Sequence, residues 1–380
     1  MTERGRKLEG SRDVVVVGAG IAGLALTRLL GQMNVSCVAL ENRTALVDAG
    51  LAINLPGNAI AALRTIGVGD ELKACGASIG RREYRSGSGR LLFAVDEASF
   101  WGTENTPRCV RRSDLARLFM QGIPNDNILY DRAVTSATIG EHDVEIATSA
   151  GDFLSARYFV GADGVNSSVR KWCSPGDGTS IATLGEASWR YIAPNPGIDC
   201  WTVWMGKHAI FLLIPCGPNE VYGWATIKSG AADNHNVDAL LHHSKDFPIA
   251  VRQSLVEAMA KPDTVFHSPL TEIRPSQWGR GRGVLIGDAA HATAPVWAQG
   301  AALALEDSLA LALLLESKTD PSVLTEKLAS IRQTRVRHVQ AMTDRASRVA
   351  RLPAYLRTIL FPILGPMSYK NTYGPLRPSK

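Results

Sequence analysis

Four consecutive valines, Val14 to Val17, follow Asp13 with no polar residue between them. An unalternating β-branched run of this kind predicts a strand buried on both faces, as in a parallel sheet. It ends at Gly18. Ile21 to Leu30 then reads as an apolar helix, and Ser36 to Leu40 as a second short strand closing on Glu41. Together they predict a β-α-β unit. From Arg81 to Phe100 the pattern changes to short strand-like pieces joined by Ser-Gly turns. Ser113 to Gln121 reads as a helix, Thr135–Thr148 as alternating strands, and Tyr158-Phe159-Val160 as a strand running into Gly161. Glu186 to Ile227 is rich in Trp, Tyr and β-branched residues and predicts an antiparallel sheet. A strand returns at Gly283 to Ile286, followed by a long apolar helix from Ala301 to Leu315. Ile331 to Arg357 reads as a basic helix carrying Arg332, Arg335, Arg337, Arg345, Arg348 and Arg351 on a solvated face. Thr358 to Met367 is apolar and punctuated by proline, and is expected to pack back on the body.

The chain's 380 residues exceed the roughly 250–300 at which single cores stop growing, which predicts two interleaved domains. With 45% hydrophobic and 20% charged residues the composition is that of an ordinary globular protein. The net charge of +5 comes with no basic-aromatic module, so no nucleic-acid partner is expected. A mildly positive surface serves solubility and would also attract anionic dinucleotides or carboxylates. Six cysteines occur with no C-x-x-C pair, Met1 to Arg12 contains no apolar leader, and no run of about 18 apolar residues exists. A cytoplasmic protein with reduced thiols and no integral membrane segment is expected. His242-His243 lacks metal-ligand spacing, so no metal site is expected. The absence of G-x-S-x-G argues against a serine hydrolase.

Gly18-Ala19-Gly20-Ile21-Ala22-Gly23 fits G-x-G-x-x-G between strand and helix. Gly18 permits a tight turn, Gly20 lets backbone N–H groups approach a pyrophosphate, and Gly23 lets helix and strand pack closely. The helix start at Ile21 and Ala22 offers unpaired donors and partial positive charge to the phosphates. Glu41, at the end of the next strand, stands where an acid accepts hydrogen bonds from ribose hydroxyls. The motif alone leaves FAD and NAD both open.

Two further motifs bear on that choice. Gly161-Ala162-Asp163-Gly164 continues through Val165-Asn166-Ser167-Ser168-Val169-Arg170. Gly287-Asp288-Ala289-Ala290-His291 leads on to Pro295 and Gly300. In this order, and with the glycine motif before them, they resemble class A, single-component FAD-dependent aromatic hydroxylases of the para-hydroxybenzoate hydroxylase type, over about Asp13 to Leu315. The resemblance implies a Rossmann-like FAD-binding domain formed by 11–80, 107–180 and 266–330. It implies an inserted antiparallel-sheet substrate domain formed by 81–106 and 181–265, and a C-terminal helical tail at 331–380. It implies FAD contacts from Gly18, Gly20, Ile21, Ala22, Gly23, Glu41, Arg43, Gly50, Arg112, Asp163, Asp288, Gly300 and Ala301. The neighbouring Arg111 competes with Arg112 for its place. Independently of the family, Asp288 follows a buried strand, where a carboxylate can accept hydrogen bonds from a polyol. The helix start at Ala301 can face the flavin's pyrimidine edge.

One departure stands out. Family members usually carry glycine where Ala298 stands, and a positive φ there would cost about 1 kcal/mol.

The chemistry implied is reduction of FAD by NADH or NADPH, then hydroxylation of an aromatic or heteroaromatic small molecule by O2 through a flavin C4a-hydroperoxide. Arg190 and Tyr222 are the candidates for holding or activating substrate, with Pro295 in the reacting loop. Trp189, Tyr191, Trp201, Trp204, Phe211 and Tyr222 suggest an apolar cleft shared with ordinary core. His291 is expected to make a structural hydrogen bond and His208 to be solvated. An epoxidase, an oxygen-independent flavin reductase or dehydrogenase, and a non-catalytic flavin binder share these motifs. A monomer and a homodimer are equally compatible.

Overall fold

The computed structural model describes residues 9–45, 51–176, 180–227, 237–274, 277–294, 297–350 and 354–378. The valine run lies in the strand Glu9–Val17, with Val14, Val15 and Val16 fully buried. It sits between Phe153–Gly161 and Cys37–Leu40, parallel to both. The sheet continues through Gly283–Leu285 on one side and Ile128–Leu129 on the other, and Val134–Ile139 and Val144–Thr148 add an antiparallel extension. Central parallel strands must be apolar on both faces because helices cover both. One cover is the helix Ile21–Gln32, which packs against the helix Gly300–Glu316. The hydroxyl of Ser308, in the middle of the second helix, donates to the carbonyl of Ala22 at 3.0 Å, in the first turn of the other.

A second sheet of seven strands runs in the order Phe266–Arg274, Ser180–Pro194, Glu220–Ile227, Ala209–Pro215, Trp201–Met205, Arg81–Ser86, Leu91–Asp96. Its alternating side chains sort onto two faces. Trp189, Tyr191, Trp204 and Phe211 form a core with Leu240 and Leu255, from the helices Val237–Ser244 and Ile249–Met259. These four aromatics therefore lie behind the sheet, not in the cleft that their abundance suggested. The opposite face carries Trp201, Val203 and Ile214. It meets Ala52 and Cys109 from a small three-stranded sheet, Ala52–Leu55, Arg108–Arg111 and Ala77–Ser78, that belongs to the first half of the molecule.

Three sequence expectations change. Phe266–Arg274, expected in the nucleotide-binding part, pairs antiparallel with Ser180–Pro194 and so completes the second sheet. The long C-terminal helix begins at Pro321 rather than Ile331 and runs to Ala350. Its Arg332 does not face water: it is 4% exposed, because this helix packs on Gly300–Glu316 and meets two acids there. Arg351 lies outside the described residues. The last helix, Ala354–Tyr373, packs on the hairpin strand Leu91–Asp96, but most apolar side chains between Thr358 and Met367 stay exposed, so the expected packing of this segment on the body holds only for its Phe361 and Gly365 side. Gly365 is pressed so closely on the Phe93 ring that a methyl group there would collide with it.

Candidate functional site

The glycine loop is built as its spacing demands. Gly18 has φ +102°, and an added Cβ would strike the Ala162 backbone; a Cβ at Gly23 would strike the carbonyl of Gly18. Gly20, in contrast, has nothing within 4 Å of such a Cβ. Two glycines thus serve close packing, while the third borders open space at the start of a helix with no side-chain cap. Ile21 and Ala22 form that helix's first turn, whose amides are free for an anion. Glu41 accepts from the Ala19 amide at 2.8 Å and the Arg43 amide at 3.0 Å, so it fixes the loop it borders. Arg43 is exposed beside it. Gly50 lies outside the described residues.

Asp163 spends one oxygen on its own turn, accepting from the amides of Ser168 at 2.7 Å and Val169 at 3.2 Å. Its other oxygen is buried with no hydrogen-bond partner among the described residues. Arg170, in the same segment, donates to the carbonyl of Ala289 at 3.0 Å and so ties the Asp-Gly segment to the Gly-Asp loop.

Asp288 opens the short helix Asp288–His291 right after the buried strand Gly283–Leu285. Its carboxylate is open to the cleft, yet protein surrounds it. Desolvation raises its pKa against the pull of His291, Arg112 and Arg190. Gly300 stands next to it: a Cβ there would come within 3.7 Å of both an Asp288 oxygen and the Thr293 hydroxyl, which is itself buried and unpartnered. Gly300 and Ala301 begin a helix without a side-chain cap. Ala298 adopts φ +54°, the left-handed backbone that its position required. Pro295 lies outside the described residues.

Arg111 and Arg112, rivals for one place in the sequence, differ in their partners. Arg111 places one nitrogen 2.7 Å from both oxygens of Glu220, bridging to the second sheet. Arg112 makes no side-chain hydrogen bond or ion pair among the described residues, is exposed, and lies close enough to act on Asp288 and Tyr222.

Facing this cleft is a wall from the second sheet. One rung across six strands reads Arg190, Trp224, Leu212, Val203, Tyr84, Phe93. The next holds Ile192, Tyr222 and Ile214, with Trp201 paired to Arg82 beyond. Arg190 donates to the Ser268 hydroxyl at 2.9 Å, and its Nε is buried without a partner. Burial pushes the Tyr222 phenol up to about 12, opposed by Arg190 and Arg112. Arg82 is no free cation: it is buried on Glu97 at 2.5 Å and stacks over Trp201 at 4.4 Å.

Sequence reading missed several polar atoms aimed at this space. Among the described residues the indole nitrogens of Trp201 and Trp224 lack hydrogen-bond partners, as does the side-chain oxygen of Asn54, on the same strand face as Ala52. Strand register places the two tryptophans on one face, and the packing of the small sheet on that face brings Asn54 to it. It also missed the support beneath the loop. His291, correctly expected to be structural, shares a 2.6 Å hydrogen bond with Asp307, which also accepts from the Gly287 amide at 3.0 Å and from Arg332 at 2.8 Å. Desolvation works to raise the Asp307 pKa, but His291 and Arg332 outweigh it and hold the carboxyl below its ordinary value. His208 is exposed, as expected. No cluster of metal ligands occurs among the described residues.

The unpartnered Asp163 oxygen, the space at Gly20, the two uncapped helix starts and the free Arg112 suit a long anionic dinucleotide with a polyol segment. Residues 11–346 match the family model described as FAD binding domain. The chain is 30% identical to 2-heptyl-3-hydroxy-4(1H)-quinolone synthase of Pseudomonas aeruginosa, over 79% of this chain and 80% of the relative. It is 27% identical to 6-hydroxynicotinate 3-monooxygenase of Bordetella bronchiseptica, over 92% and 94%. A crystal structure of Klebsiella pneumoniae HpxO complexed with FAD and uric acid shares the fold, with TM-score 0.77 and 22% identity over 96% of this chain and 92% of that one. The chain belongs to the FAD-dependent aromatic hydroxylases of class A.

Proposed function

We propose that the protein is an NAD(P)H- and FAD-dependent monooxygenase that hydroxylates an uncharged heteroaromatic ring with apolar substituents. The observation that carries this reading is the wall: across six strands it offers aliphatic and aromatic side chains, and Arg190 is the one cation on these rungs not neutralised by an acid. A ring bearing carboxylates would need more. The first curated relative named above makes a heptyl-substituted hydroxyquinolone, and that name favours the same substrate class.

Bound FAD, reduced by the nicotinamide co-substrate, supplies the activation of O2 from which one oxygen atom reaches the ring. The protein's part is binding, orientation and exclusion of water. Amides at Gly20, Ile21 and Ala22 take the pyrophosphate, with Gly18 and Gly23 shaping the loop. Glu41 and Arg43 take the ribose, Arg112 and Asp163 the middle of the cofactor, and Asp288 the ribityl hydroxyls. Gly300 and Ala301 present a helix start to the pyrimidine edge. The Tyr222 phenol stays protonated at neutral pH and donates to the ring oxygen of the substrate. Arg190 stabilises negative charge that develops there. We take the enzyme to work in the cytoplasm, as a monomer or homodimer.

The test is anaerobic flavin reduction by NADH and NADPH, with and without a panel of neutral alkylated and carboxylated heteroaromatics. A neutral ring that accelerates reduction, followed by incorporation of labelled oxygen into the product, is the expected result. Acceleration by carboxylated rings alone overturns the substrate class. Fast reduction without oxygen incorporation favours a reductase.

A further inference from the structure

The last helix has two unlike faces. Gly365, Tyr369 and Tyr373 point inward and are buried. The Tyr369 hydroxyl donates to Glu97 at 2.8 Å and that of Tyr373 to the carbonyl of Trp297 at 3.4 Å. At about 100° per residue, Ile359, Leu360, Ile363, Leu364 and Met367 share an arc on the other side. All five are exposed, Ile363 by 74% and Ile359 by 62%. They make up nearly half of the exposed large hydrophobics among the described residues. Nothing in the fold of the described chain covers them, and scattered exposure does not produce such a stripe.

Charge says what does. The sequence from Arg345 to Lys380 holds seven cations and no acid, while the preceding 344 residues hold 34 cations against 36 acids. Exposed Lys370 falls within the apolar arc itself, and exposed Arg345 and Arg377 bracket the helix. A second copy of this face would bring two acid-free basic segments together, which is unfavourable. No helix of the described residues is long and apolar enough to cross a membrane. An apolar stripe framed by cations on a surface helix is the chemistry of a helix that lies in an anionic lipid interface.

We propose that the helix Ala354–Tyr373 is a docking surface for anionic membranes, with Ile359, Ile363 and Met367 entering the headgroup boundary and the flanking cations meeting lipid phosphates. Because Tyr373 reaches the Trp297 carbonyl and Phe361 lies beside Phe93, the lipid surface would then sit next to the rim of the cleft wall. The proposal does not depend on the substrate.

The experiment is vesicle co-sedimentation of the full-length, FAD-loaded protein, with phosphatidylcholine alone and with phosphatidylcholine mixed with phosphatidylglycerol. Binding to the mixed vesicles should be about tenfold or more tighter than to the neutral ones and should weaken as salt is raised. The double variant Ile359→Asp/Ile363→Asp should lose it by about tenfold or more, while retaining bound flavin and its unfolding midpoint. Failure of the wild type to bind either vesicle overturns the proposal, as does equal binding by the double variant. A wild-type dimer in light scattering that becomes monomeric in the double variant, with no vesicle binding, assigns the stripe to a second copy instead.

Discussion

Two aspartates nineteen positions apart, Asp288 and Asp307, divide the Gly-Asp loop into a foundation and an open surface. Asp307 is buried, and both its oxygens are engaged, by His291, Arg332 and the Gly287 amide. Its pKa is lowered because its partners outweigh desolvation. Asp288 has no partner of that kind and its pKa is raised by desolvation. The same side chain thus anchors where both oxygens are engaged by the fold, and stands open to a guest where they are not. Around Asp307 the network widens: Glu306 takes Arg332 at 2.7 Å, Arg335 at 2.9 Å and the amide of Asn58 at 2.9 Å. Asn58 also donates to Gln299, just before the uncapped helix start. The loop is held from below so that its upper side can remain unsatisfied.

Removing each aspartate separates the two roles most sharply. Asp307→Ala leaves the buried His291 without its carboxylate and Arg332 with Glu306 alone, and should cost about 3–5 kcal/mol of stability, read from denaturant unfolding. Asp288→Asn removes a charge that the fold disfavours, so unfolding of the apoprotein should be unchanged or shifted to slightly higher denaturant, while FAD affinity falls. Equal destabilisation by both variants would erase the distinction. The pH dependence has the matching sign. A carboxylate with a depressed folded pKa contributes stability present above its unfolded value near 4, and lost as pH falls through the folded pKa. Asp307→Asn should therefore flatten the acid limb of the stability profile relative to wild type; an unchanged slope would show that the Asp307 network does not govern it.

The neighbouring arginines sharpen the same contrast at a smaller scale. Arg112→Ala should weaken FAD binding by about tenfold to a hundredfold, the range for one lost charge-assisted hydrogen bond, with little change in the unfolding midpoint of the apoprotein. Arg111→Ala breaks a half-exposed bridge to Glu220, so it should leave FAD affinity within a few-fold and shift stability by about 1 kcal/mol or less. Flavin fluorescence titration of both apoproteins reads the difference, and a larger affinity loss in the Arg111 variant would reverse the assignment.

What the sequence disclosed follows the same division. The glycine loop, Glu41 and the Gly-Asp segment were legible because local geometry forces particular residues into consecutive positions: Gly23 has no alternative when a methyl would meet Gly18. The foundation was not legible, because Asp307 and Arg332 are twenty-five residues apart and pair only once two helices pack. In sequence, Arg332 is one of seven arginines between Ile331 and Arg357, and its burial follows from a contact that periodicity cannot express. Of the six aromatics of the second sheet, which were expected to be divided between cleft and core, Trp201 and Tyr222 line the cleft and the other four are core; the sequence could not sort them, for a simpler reason. Alternation shows that Trp189 and Arg190 face opposite ways, but not which face meets the cofactor. The helices that cover Trp189 and Tyr191, Val237–Ser244 and Ile249–Met259, carry no motif and decide the matter by packing.

Ala298 was the one residue whose sequence oddity forecast a backbone fact, and it tests the smallest effect. Its φ of +54° places a methyl in the left-handed region, between Trp297 and the Gln299 that binds Asn58. Such a conformation costs a non-glycine residue about 1 kcal/mol. Glycine relieves that strain but also frees the unfolded chain, so the two terms partly cancel. Ala298→Gly should therefore raise stability by about 1 kcal/mol at most. If the alanine is retained for what it does to the loop, the variant should also loosen the surroundings of the isoalloxazine, seen as a change in flavin fluorescence or in the rate of reduction by NAD(P)H. A variant that gains stability with both flavin signals unchanged would make Ala298 a tolerated substitution. One that loses stability would mean that the methyl packs against the loop strongly enough to outweigh its own strain.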